Sequence, residues 1–193
     1  MRSFDPTRYG PGFAALLSNE RLNLLDAGRP DKDYRPLLEA LSGPEAFAPA
    51  AVRDEHMATA CRAGMWLYHD FLDESHVLSQ DLHTPEGSYW HALVHRREPD
   101  FDNAKYWFRR VGKHAIFGPL RDEAAELAGA KPQAASDFLV RQADWDPYAF
   151  VDLCEASVAE RVPCMLLCQR IQRREWELLF DHCYRATIGA ATN

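Results

Sequence analysis

Two segments of the chain repeat one spacing of ionisable residues. His69, Asp73 and His76 stand at i, i+4 and i+7, and His91, His95 and Glu98 follow the same pattern. Residues so spaced lie along one face of an α-helix, where their side chains can converge. Neutral imidazole and ionised carboxylate are the ligands with which helical bundles hold Zn, Fe or Mn, and the same groups act as general acids and bases. The pattern predicts a centre in which His69, His76, His91 and His95 bind a divalent transition metal. In its acid–base form, His76, His91 and Asp73 are the catalytic groups. Glu175 and His182, seven residues apart, offer the same chemistry from a third segment. Neither spacing is the H-E-x-x-H of metalloproteases or the E-x-x-H of di-iron bundles. The alternative is a structural one: core histidines whose tautomers are fixed by Asp73 or Glu98.

A second constellation follows directly in HRREPDFDNAKYWFRR, residues 95–110. Arg96 and Arg97 close a helix, where cations complement the macrodipole. Asn103, Tyr106 and Arg110 form an i, i+3, i+7 stripe, and Lys105 with Arg109 forms a neighbouring pair. Guanidinium groups bind phosphate or carboxylate bidentately, so Arg96, Arg97, Asn103, Lys105, Tyr106 and Arg110 are the candidate residues for a small anionic ligand. A solvated basic face paired with the acidic remainder of the chain explains the same residues without a ligand. Trp90, Trp107 and Phe108 take core positions by periodicity, which argues against an aromatic stacking platform.

Helices must position these groups. Met57, Cys61, Met65, Tyr68 and Leu72 recur at three- and four-residue steps, predicting a central helix from about Asp54 to Leu82. Thr84-Pro85 offers an N-cap and a proline at the first helical position, giving a second helix over about 85–98 that Pro99 ends. Asp102 can cap a third, with Ala104, Trp107, Phe108 and Val111 as its core face and Gly112 as its stop. The connection at His83 to Pro85 is short enough to make the first two neighbours. FGPLRDEAAELAG, PQAASDFLVRQ and DPYAFVDLCEASVAE read as three shorter helices, and Val162 to Thr187 as a long closing one. No segment alternates with period two. The fold class is therefore all-α: a single-domain helical bundle over 1–193, with residues 1–50 as an irregular N-terminal wrap of short helices and 51–193 as the body.

With 47% hydrophobic and 26% charged residues and a mean hydropathy of −0.41, the chain has the composition of a soluble globular protein. No membrane span is expected. A net charge of −7 disfavours nucleic acid as a partner, although residues 91–114 hold six Lys/Arg against three Asp/Glu. An odd five cysteines and no apolar leader point to free thiols and a cytoplasmic location. Cys164 and Cys168 share a face but lack further ligands at zinc-finger spacing, and no phosphate-binding or dinucleotide-binding glycine motif occurs.

HDFLDESHVLSQ, TPEGSYWH and HRREPDFDNAKYWFRRVG together resemble segments shared by a family of uncharacterised bacterial and fungal proteins. The resemblance covers about residues 66–112 and implies that the three segments build one place. It implies no activity, cofactor or substrate. Two functions are therefore expected in competition: a small-molecule enzyme or enzyme-like binder with a His/Asp/Arg-rich pocket, metal-dependent in its sharpest form, or a noncatalytic binding or scaffold module with a buried polar network.

Overall fold

A computed structural model describes residues 4–190. Among them are ten α-helices and no strand. Residues 4–50 form single 3-10 turns and two short helices, α1 (Pro11–Leu16) and α2 (Arg35–Glu39). Both have a proline in their first turn, where its missing N–H leaves no bond unmade.

The body opens with α3 (Glu55–Tyr68), capped by Asp54, whose carboxylate accepts the Met57 amide at 3.1 Å. The periodic segment read as one helix to Leu82 breaks here. Asp70 adopts φ 65° and the Phe71 amide bonds back to the Trp66 carbonyl, so the chain turns before α4 (Leu72–Gln80) begins. Asp70 is held in that left-handed conformation by Arg21 at 2.7 Å and Arg97 at 2.6 Å. Side-chain pairing thus overrides a continuous apolar pattern. The break also resets the helical phase: Asp73 lies exposed in the first turn of α4 instead of on the face of His69.

Thr84 caps α5 (Pro85–Arg97), accepting the Gly87 amide at 3.1 Å. Asp100, not Asp102, caps α6 (Phe101–Val111): the helix begins two residues earlier than the sequence pattern suggests, and the Asp100 carboxylate accepts the Asn103 amide at 3.3 Å. Gly112, at φ 65°, ends that helix. Then follow α7 (Phe117–Ala130), α8 (Asp137–Arg141), α9 (Pro147–Val158) and the long α10 (Met165–Ile188), which stops at Gly189 in the left-handed conformation.

The core has two parts. In the larger, Met65 of α3, Trp90 of α5, Phe108 of α6 and Trp176 and Phe180 of α10 interleave, the last two stacked at 4.9 Å. In the smaller, Leu120, Phe150 and Ile171 join α7, α9 and α10. A fully buried Met65 or Phe180 contributes about 1.5–3 kcal/mol over exposure. All five cysteines are free and buried. No helix among the described residues is long and apolar enough to cross a membrane. The important consequence for chemistry lies in α5, which is buried on every face from Glu86 to Arg97. Each of its polar side chains must therefore find a partner inside the protein.

Candidate metal centre

Helices α4 and α5 pack together across the connection of residues 81–84, bringing His76 of α4 against His91 and His95, one turn apart on α5. Ring centroids lie 4.4 Å apart for His76–His91, 5.2 Å for His76–His95 and 4.7 Å for His91–His95. One nitrogen from each ring lies within 4.8 Å of the others. His91 and His95 are buried and His76 is half-buried, so the group opens to solvent on one side only. The three histidines come one each from HDFLDESHVLSQ, TPEGSYWH and HRREPDFDNAKYWFRRVG.

Outer contacts fix the tautomers. Glu98 Oε2 lies 3.0 Å from Nδ1 of His95, and the Asn103 carboxamide donates to Nε2 at 3.1 Å. His95 therefore carries its proton on Nδ1 and a lone pair on Nε2. The Ser79 hydroxyl donates to the His76 carbonyl at 3.2 Å, which leaves its oxygen to accept from Nδ1 of His91 at 3.4 Å. His91 is likewise left with its lone pair on Nε2. Burial, reinforced by the neighbouring imidazoles, pulls His91 down to about 3, and burial lowers His95 against the pull of Glu98. Both rings are thus neutral at physiological pH, the state in which imidazole ligates metal. The Trp107 ring covers His91 at 4.0 Å, and the Arg110 guanidinium lies 5.1 Å from the Trp107 centroid.

The remaining candidates divide. Asn103 joins the centre, and Tyr106 and Arg110 sit exposed on the adjacent face of α6, where Arg110 has no carboxylate partner among the described residues. Lys105 is turned to Asp152 at 2.5 Å. Arg96 is buried against Glu175 at 2.6 Å. Arg97 binds Asp70 at 2.6 Å and the carbonyls of Asp26, Ala27 and Leu67. Neither arginine faces the three histidines, because successive residues of a helix point about 100° apart and Arg96 and Arg97 follow His95 towards α10 and the N-terminal segment.

His69 is also separate. It caps the C-terminus of α3 with its ring against Tyr34 at 4.4 Å and Tyr68 at 5.2 Å, and burial pulls its pKa down from 6.5 to about 4. The folded state then binds fewer protons than the unfolded chain in this window. Its contribution to stability is complete above pH 6.5 and is lost as pH falls to 4. His69→Phe is expected to remove on the order of 3 kcal/mol of that acid-side loss, read by urea unfolding of chelator-treated protein across the same window. Identical pH slopes in the two proteins would refute the assignment.

A further cluster was not legible as a unit. Glu86 of α5, His114 of the α6–α7 connection and His182 of α10 converge from three elements, the outer two 96 residues apart, so no local spacing exists to read. Only the pairing of His182 with Glu175 on one face of the last helix hinted at it, and Glu175 belongs instead to Arg96.

No protein-family model matches the chain, and no curated protein or solved structure does.

Proposed function

We propose that the protein is a metal-dependent enzyme for a small anionic molecule, its ion held by one nitrogen each of His76, His91 and His95. The observation that carries this reading is the joint geometry: three ligand nitrogens within 4.8 Å, with Nδ1 of His91 and of His95 engaged by Ser79 and Glu98. Carboxylate–histidine pairs of this kind orient a ring and raise its basicity as a ligand. An all-imidazole set suits Zn or Fe better than Mn, which prefers oxygen. Three protein ligands leave a fourth position for water or substrate, and a bound ion there supplies Lewis acidity.

The chain's own residues supply the rest. The half-buried side of His76 admits ligand from solvent, while Trp107 closes the opposite side over His91. Arg110, one ring away from His91, receives the anionic group, and Asn103, whose carboxamide contacts Nε2 of His95, would have to release that nitrogen for an ion to be held there. Arg96 and Arg97 play no part in binding the anion; they hold α5, and with it His91 and His95, in register. Glu98 and Ser79 are positioning residues.

Elemental analysis of protein purified without chelator tests the reading. About one Zn or Fe per chain is expected, and His76→Ala should lose most of it. A folded wild-type chain that carries no ion and takes none up on addition would favour a noncatalytic role with a satisfied polar network.

A further inference from the structure

The cluster of Glu86, His114 and His182 lies at the wall of a cleft of about 440 Å³ between the N-terminal segment, α7 and α10. His182 lines the cleft, whereas the Glu86 side chain is about nine-tenths buried behind it. The arrangement fixes protons. Nε2 of His182 lies 3.2 Å from Glu86 Oε1. Burial would raise the Glu86 carboxyl, but the hydrogen bond of His182 and the nearby His114 imidazole outweigh it and hold Glu86 well below the usual carboxylate range. An ionised Glu86 can only accept, so Nε2 of His182 carries the proton and its outer nitrogen, Nδ1, keeps the lone pair.

The same three side chains bring one ligand atom each within 4.8 Å, a set that a metal accepts on composition alone. The backbone argues otherwise. The Ile116 amide donates to Nδ1 of His114 at 3.3 Å, so neutral His114 carries its proton on Nε2, the nitrogen that faces Glu86 at 3.6 Å. Ligation through Nε2 would require a proton on Nδ1, directly against that amide. His182 instead donates to the carboxylate at 3.2 Å, while the Nε2 proton of His114 faces it from 3.6 Å without a hydrogen bond.

We propose that this cleft is a second site, independent of the three-histidine centre, in which His182 oriented by Glu86 is a general base towards small acyl esters. The carboxylate–imidazole pair is the arrangement that holds a histidine in the tautomer able to take a proton. Phe4, Ile116 and Leu178 give the cleft an apolar wall for the body of the ester. Arg174 and Arg185 along it are paired with Glu123, Glu177 and Asp181, whereas Arg8 contacts no carboxylate among the described residues and can meet a negatively charged oxygen. In the step itself, Nδ1 of His182 takes a proton from water as the water oxygen bonds to the carbonyl carbon. The carbonyl electron pair moves to oxygen, then returns to expel the alkoxide or phenolate, and the proton passes from Nδ1 to the leaving oxygen or to solvent.

The probe is 4-nitrophenyl acetate, hydrolysed by the full chain in excess EDTA so that any metal-dependent rate is removed. Wild-type protein should exceed an equal concentration of free imidazole, and His182→Gln should lose roughly tenfold or more of that rate while melting like wild type. His56→Gln, at an exposed position, controls for ordinary surface imidazole. Glu86→Gln should lower kcat with KM nearly unchanged, the mark of a positioning residue. A wild-type rate no higher than imidazole, or a His182→Gln rate equal to wild type in EDTA, overturns the proposal. A rate that EDTA abolishes overturns it as well and assigns the chemistry to the metal centre; loss of metal binding without loss of the EDTA-resistant rate touches only the metal centre.

Discussion

Glu175→Ala is expected to cost about 3–5 kcal/mol of stability, enough to unfold much of a marginally stable domain. Arg96 and Glu175 are 1% and 0% exposed and meet at 2.6 Å in the middle of the bundle. Tyr89 donates its hydroxyl to the other carboxylate oxygen at 2.9 Å, Gln172 lies 3.4 Å from the guanidinium, and the Phe150 ring lies 5.0 Å from it. Burial opposes the charge on Arg96, but Glu175 outweighs it and holds the guanidinium above its ordinary pKa. Removing Glu175 leaves that charge in a site where Nε and Nη1 already lack partners among the described residues. The effect is therefore mostly the penalty of an orphaned ion. Arg96→Met combined with Glu175→Leu should destabilise much less, since the costly object is one charge without the other. Urea midpoints of the two variants check this; equal losses would mean that packing, not charge, dominates.

The second large effect is a graded loss of metal affinity. His95→Ala removes a ligand and should weaken binding by more than roughly 100-fold, beyond what loss of an outer partner brings about. Glu98→Ala leaves all three ligands but frees the orientation of His95, and roughly 10- to 100-fold is expected. Asp73→Ala, exposed on α4, should change nothing. Competition titration against a chelating dye gives the three values. If Asp73→Ala weakened binding as much as Glu98→Ala, the ligand set would be wrongly placed.

Much of the architecture was legible because helical signals are local. Thr84, Pro85 and Gly112 mark helix ends by their own backbone chemistry, and Ala104, Phe108 and Val111 of α6 face the core as their periodicity requires, whereas Trp107 of the same expected face is half-buried over His91. The break at Asp70 was not legible, since it depends on Arg21 and Arg97, distant in sequence. That single turn explains two of the misplaced site residues: it separates His69 from His76 and exposes Asp73. The pair His91 and His95 survived because both lie on one unbroken helix. For Arg96 and Arg97 sequence offered a helix end and a cation, whereas their burial comes from α5 being enclosed on all sides. Glu86, His114 and His182 meet only through the packing of three distant elements.

Cobalt(II) titration probes the three-histidine centre most directly, because the ion reports its coordination in its visible spectrum. Wild-type protein should develop a visible ligand-field band that saturates at about one ion per chain, and His91→Ala should abolish it while His182→Gln leaves it intact. A folded wild-type chain with no such band, or a band that His91→Ala leaves unchanged, would contradict a metal ion bound by His76, His91 and His95.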